Sequence, residues 1–272
     1  IRDAVDGYPA VRGLCELAQE VRGVLGASVK IGYAADWSEY FGHHPSDGSG
    51  DVMFHLDPLW AHPELDFIGV DNYMPISDWR DGSGHADAAA GSIYNLSYLE
   101  GNVAGGEGFD WYYADDDGRE RQDRLAIADG AYGEDWTFRY KDIASWWSQA
   151  HVNRVGDVKA ASQTPWLPRS KPIWFTELGC PAVDKGTNQP NVFHDPKSSE
   201  SHFPYFSTSA KESLSSGDIC RQRTPSGTTR ATIRSPMSTP VRWSTWIAPT
   251  SGHGTLGRGR TFPNGWKPGS TD

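Results

Sequence analysis

The chain has 272 residues, a formal net charge of −10, 37% hydrophobic residues and 12 Trp. That length suits one large α/β domain or two small ones, and the negative charge argues against general nucleic-acid binding. No apolar run approaches the length of a membrane-spanning helix, and IRDAVDGYPA at the start carries no basic-plus-apolar leader pattern. Cys15, Cys180 and Cys220 are too few and too scattered for a disulfide framework or a zinc site. The absence of an initiator Met points to a fragment.

Residues 10–25 place Val11, Leu14, Leu17, Ala18, Val21, Val24 and Leu25 at helical spacing, closed by Gly26. Val29 to Tyr33 reads as a short strand, followed by a polar, aromatic loop. DPLWAHPEL predicts a short helix, and Asp66 to Val70 a strand apolar enough to be buried on both faces of a parallel sheet. Residues 80–135 form a long excursion rich in Gly, Asp and Tyr, with a helix expected over 86–100. A further helix runs from Tyr140 to His151, with Ile143, Trp146 and Trp147 inward, and Pro172 to Thr176 makes a third strand. This alternation of helix and strand predicts parallel βα units.

The charge breaks late in the chain. Residues 211–272 hold nine Lys/Arg against three Asp/Glu and 19 Ser/Thr, while residues 1–210 hold 16 Lys/Arg against 32 Asp/Glu. Without a sustained apolar period, this segment reads as an irregular or disordered basic tail.

All three strands run into polar and aromatic residues: Asp36-Trp37, Asp71-Asn72-Tyr73 and Glu177. In a β/α barrel the C-terminal strand ends share one rim, which holds the active site. Aromatics that stack on pyranose faces and acids that bond hydroxyls make a plausible sugar site, and a carboxylate pair can perform glycoside hydrolysis. A helix N-cap is the competing reading for Asp36 and Asp71. Glu177, directly after Ile-Trp-Phe-Thr, is a poor cap and an unfavourable burial unless paired. His43-His44 and His55 lack metal-ligand spacing and read as a solvated loop; Asp115-Asp116-Asp117 lacks the alternating calcium pattern and reads as a solvated turn. Ala104 to Gly108 has no Lys-Ser/Thr and is not a phosphate loop.

KIGYAADWSEYFGHHPSDGSGDV, LDFIGVDNYMPISDWRDG, GGEGFDWYYA and KPIWFTELGCPAVDKGTNQPNVFHDPKSSES resemble the TIM-barrel-like domain of gene transfer agent tail proteins, over about residues 1–206. That domain is similar to clan-A glycoside hydrolases of the β-mannanase type. The resemblance implies part of a (β/α)8 barrel, with KIGYAADW as strand 5, DFIGVDNYMP as strand 6 and Thr176-Glu177-Leu178-Gly179 ending strand 7 with the nucleophile. It further implies that Asp71, Asn72 and Tyr73 orient substrate or nucleophile, and that Asp36, Trp37, Trp79 and Trp174 shape the cleft. No metal or cofactor is implied. The expected partners are a cell-envelope or capsular glycan and other tail proteins of a phage-like particle, assembled in the bacterial cytoplasm. The alternative is a non-catalytic structural or glycan-binding module.

Two departures accompany the resemblance. The general acid, expected in a G-[SN]-E-L motif after strand 4, has no match, so the chain reads as an inactive fragment that begins after that strand. The aromatic strand-8 motif is missing in frame, yet IWAWDARPWP emerges when chosen codons for Thr250 to Arg260 are read one nucleotide out of frame. A frameshift near residues 206–213 is therefore expected, leaving 207–272 as a non-native or disordered tail.

Overall fold

The computed structural model describes residues 2–3, 7–199 and 201–211. From residue 212 onward, the expected tail and the segments recovered by the frameshift reading lie outside the described residues.

Helix α1 (Pro9–Leu25) opens on proline, whose fixed φ and missing N–H suit a first helical turn, and ends at Gly26 with φ 72°. It buries Val11 and Ala18 and packs Leu14 and Cys15 partly against the core. Leu17, Val24 and Leu25, expected on the same inward face, are instead 51%, 84% and 46% exposed. At about 100° per residue, Leu17 and Val24 point about 120–140° away from Val11, so the buried stripe is narrower than the apolar pattern.

The central sheet is parallel, in the order β1 (Gly32–Asp36), β2 (Phe67–Asn72), β7 (Ile173–Leu178). Each strand extends beyond its expected end, so Asp36, Asp71 and Glu177 lie within the ladder. No helix begins at Asp36 or Asp71, so neither is an N-cap. Asp66 helps to set where β1 begins: its carboxylate accepts from Ile31 N, Lys30 and Arg22, which holds the segment before the strand.

One sheet face carries Ala35, Ile68, Val70, Ile173 and Phe175, all buried, with Tyr33 half-buried beside them. Against the core built on this face pack α1, α2 (Asp57–Trp60) and α5 (Ile143–Ser148), with Trp60, Trp146 and Trp166 almost fully enclosed. His151, also buried, stacks on Phe54 at 4.3 Å and bonds Asp57 through Nδ1 at 2.9 Å.

Between β2 and β7 the chain makes short elements only. The expected helix over 86–100 is broken: a 3-10 turn, Ala88–Ala90, stops at Gly91 with φ 77°. A new helix, α3 (Leu96–Gly101), then starts where the Asn95 side chain accepts from Ser97 N and Tyr98 N. A small antiparallel pair, β3 (Trp111–Tyr112) and β4 (Leu125–Ala126), brackets α4 (Asp116–Arg121). The acidic run is solvent-exposed, as expected, but it starts a helix and is not a bare turn: Asp115 caps α4 by accepting from Gly118 N at 2.7 Å, and Asp116 and Asp117 sit in the first turn, where the helix dipole favours acids. A 3-10 turn, Asp135–Thr137, precedes α5, which is shorter than the expected 140–151 because Asp142 caps it. Trp146 is buried, and Trp147 is only half-buried. A hairpin of β5 (Arg154–Val155) and β6 (Val158–Lys159) follows.

Buried Asp78 holds the excursion together, accepting from Arg80, Tyr113, Gln122 and Arg124. Burial alone would raise its carboxyl pKa, but the bonds from Tyr113, Arg124 and Arg80 outweigh it and keep the value low.

Candidate functional site

The ladder brings the three acids into one row. Asp36 pairs with Asp71 across β1 and β2, and Asp71 pairs with Glu177 across β2 and β7. Residues in register on neighbouring parallel strands stand on the same face, with strands about 4.8 Å apart. This is the face opposite the core, and it is lined below the acids by small residues: Ala34 and Gly69 share a row with Trp174, and Gly32 lies level with Phe67.

A β-bulge creates the last pairing. Val70 faces Phe175, but Asp71 faces Glu177, so Thr176 is the extra residue on β7. If Thr176 paired with Asp71 in an unbulged ladder, strict alternation would turn Glu177 toward the core. With the bulge, both Thr176 and Glu177 are exposed on the open side. The Thr176 hydroxyl donates to Asp71 Oδ1 at 2.6 Å. In the sequence Thr176 stands out only as part of the Thr-Glu-Leu-Gly motif, because an irregularity in pairing leaves no mark in residue types.

Each acid has a distinct environment. Asp36 Oδ1 accepts from Ser38 N at 2.8 Å and Ser38 Oγ at 2.5 Å, which fixes the turn leaving β1. Burial raises the Asp71 pKa, the Thr176 bond opposes that rise, and the nearby charges of Glu177 and Asp36 add to it. Glu177 Oε2 accepts from the Tyr73 hydroxyl at 2.7 Å. Burial, together with that bond, pushes the Tyr73 pKa up to about 12, so the phenol remains a donor throughout the neutral range.

The remaining expected residues divide. Asn72 is level with Leu178 in the next row, and its Oδ1 accepts from Met74 N at 3.2 Å, closing the turn after β2. Trp37 donates its backbone N–H to Asp71 O at 3.1 Å, but its ring packs on Tyr140 at 4.8 Å. Trp174 shares the open face below Glu177 and stacks on Phe67 at 3.9 Å, forming a floor under the acids. Trp79 packs its ring against His85 and Tyr98, and its backbone is clamped by the Asn188 side chain through two 2.9 Å bonds. Asn188 lies in the 3-10 turn Gly186–Asn188 after β7, so this clamp ties the loops that follow β2 and β7.

The histidines also differ from expectation. His43, His44 and His55 are half-buried rather than solvated, because Tyr8, Phe41 and Phe138 pack around them. Among the described residues no group of three or more His, Cys, Asp or Glu is arranged to hold a metal ion. No described helix is long and apolar enough to cross a membrane.

A row of acids with a phenol donor has the chemistry to bind hydroxyl groups. The family model of the GTA TIM-barrel-like domain matches residues 1–229. No curated protein matches the chain.

Proposed function

Because the chain belongs to the gene transfer agent TIM-barrel-like domain family, we propose that it is part of the tail of a phage-like particle and that its open sheet face engages cell-envelope or capsular glycan. The observation that carries this reading is the row Asp36, Asp71 and Glu177, with Tyr73 donating to Glu177. Glu177 is the proposed nucleophile. Tyr73 holds its carboxylate, Thr176 orients Asp71, and Asp71 and Asp36 bind sugar hydroxyls.

In a retaining glycosidase the nucleophile works with a separate acid about 5–5.5 Å away, which protonates the leaving oxygen. The G-[SN]-E-L motif that would carry that acid has no counterpart in this sequence. General acid catalysis contributes about 10²–10⁴ in rate, so this chain should turn over natural glycan very poorly even with its nucleophile in place. A second reading, a non-catalytic glycan-binding or structural module, is favoured by the engagement of Asn72, Trp37 and Trp79 with Met74, Tyr140 and Asn188.

Dinitrophenyl 2-deoxy-2-fluoro glycosides separate the two. A Glu177 oxygen attacks C1, the C1–O bond breaks, and dinitrophenolate leaves as an anion without needing a proton. The product is a slowly hydrolysed glycosyl ester. Mass spectrometry should find the adduct on Glu177 in the wild-type chain and none in Glu177→Gln. Absence of labelling with manno-, gluco- and galacto-configured reagents removes Glu177 from catalysis and leaves the binding module.

A further inference from the structure

The tetrad Asp-Gly-Ser-Gly occurs twice in the chain, at residues 47–50 and 81–84. The copies share a sequence but not an environment. Asp47 closes its turn on itself: its Oδ1 accepts from Ser49 N at 2.9 Å, and bonds from the Ser49 side chain and backbone lower its pKa. The second copy lies in the loop that leaves β2, and all four of its residues are exposed. Among the described residues the Gly82 N–H makes no backbone hydrogen bond, and the partner of the Asp81 carboxylate is Lys185 Nζ, 3.0 Å from Oδ1. Gly82 has φ 83°, and a Cβ built on it would meet nothing within 4 Å.

An aspartate followed by glycine has a chemistry of its own. The glycine nitrogen attacks the aspartate Cγ. The N–Cγ bond forms, the Cγ–OH bond breaks, and the amide proton leaves with the hydroxyl as water. The product is a five-membered succinimide, which water then opens. Attack at Cγ restores aspartate; attack at the main-chain carbonyl carbon leaves isoaspartate, with the chain routed through Cβ and Cγ. No oxidant or reductant enters, and the final mass equals the starting mass. The step needs a nitrogen that is not hydrogen-bonded, a carboxyl that can turn toward it, and no Cβ in the way.

The described Asp-Gly steps, at 47, 81, 117 and 129, meet these needs unequally. Gly118 N is engaged by Asp115 Oδ1 within α4. Asp129 is buried, and Arg154 and the backbone N–H groups of Ala131 and Glu134 hold both its oxygens. Asp47 is held by Ser49. Asp81 has only its ion pair, on a side chain that is 73% exposed, and such pairs hold weakly. We infer that Asp81-Gly82 is the step at which the folded chain passes through a succinimide to isoaspartate, a covalent modification site in the loop after β2. The change reaches the neighbouring loop. Lys185, buried after β7, pairs with both Asp81 and Asp184. Isoaspartate adds a methylene to the main chain and moves the carboxylate, so one tie between the loops that follow β2 and β7 is lost.

The test ages the chain for weeks in warm neutral buffer, folded and, in parallel, unfolded in urea. Peptide mapping with an endoprotease that cuts at aspartate but not at isoaspartate places the product. Methyl transfer from labelled S-adenosylmethionine by an isoaspartate methyltransferase counts it. In urea the Asp-Gly steps should convert at similar rates. In the folded chain Asp81 should convert several-fold faster than Asp47, and Asp117 and Asp129 should stay unconverted. Asp81→Glu keeps the charge but would require a six-membered ring, so the signal at this site should disappear; if that variant does not fold, the map of the unsubstituted chain decides. Equal conversion at Asp47 and Asp81 in the folded chain, or no conversion at Asp81 there, would overturn the assignment.

Discussion

Single residues on the β1 loop carry costs that depend on pH. His44 stacks on Phe41 at 5.1 Å, and its Nε2 is buried with no hydrogen-bond partner among the described residues. Burial lowers its pKa to about 4, against the opposing bond from the Thr137 backbone, with the charges of His43, Arg154 and His55 adding to the fall. In the unfolded chain His44 takes up a proton near pH 6.5; in the folded chain it resists until about pH 4. The fold therefore loses stability as pH falls through that window, by up to about 3 kcal/mol from this residue. His44→Phe keeps a ring between Phe41 and Phe138 and removes the proton. Urea midpoints taken from pH 7 to pH 4 should fall less steeply in the variant, and parallel slopes would reject His44 as the source. None of this was legible in the sequence, where His43-His44 reads as loop; its burial arises from contacts with Phe138, distant in the chain.

At the scale of elements, the sheet depends on a close approach. A Cβ on Gly69 would lie 2.6 Å from Tyr33 O and 3.0 Å from Ala34 Cα, both backbone atoms of β1 that cannot rotate aside. Gly69→Ala should force β1 and β2 apart and cost about 1–3 kcal/mol, read as a lowered urea midpoint with the tryptophan signal. A midpoint equal to wild type would mean that the strands are looser than drawn. The strands themselves were legible, since Ile68, Val70, Ile173 and Phe175 are continuous apolar runs. Their ends were not. Polar Asp36, Asp71 and Glu177 look like the first residues of loops, and only pairing across the ladder draws them into strands. The excursion misled for another reason: residues 86–100 have helix formers, but Gly91 and Asn95 divide them into two short turns.

The whole molecule is asymmetric in how it covers itself. One sheet face is packed beneath α1, α2 and α5. Among the described residues the outer edges of β1 and β7 pair with no further strand, and α1 exposes Leu17, Val24 and Leu25. Open edges next to exposed apolar side chains recruit other chains. Sedimentation velocity should show self-association that grows with concentration, with a broad thermal transition. A monomer that melts cooperatively would contradict this. The family and its parallel βα order were readable from long motifs, which survive inspection without any structure. The sheet's exposure was not, because composition reports how much apolar surface a chain owns and not where it lies.

The bulge at Thr176 has a consequence for how this segment tolerates change. A regular strand presents every second side chain to a given face, so inserting or deleting a residue swaps the faces of everything beyond it. Here the swap is already built in, and it lets two successive residues, a hydroxyl and an acid, stand side by side on one surface. Excising Thr176 would restore an even ladder with Glu177 still opposite Asp71, whereas excising Phe175 would not remove the hydroxyl but would break the core alternation. The indel that looks most disruptive in an alignment is thus the one that spares the placement of the acid and removes only the tether on its neighbour.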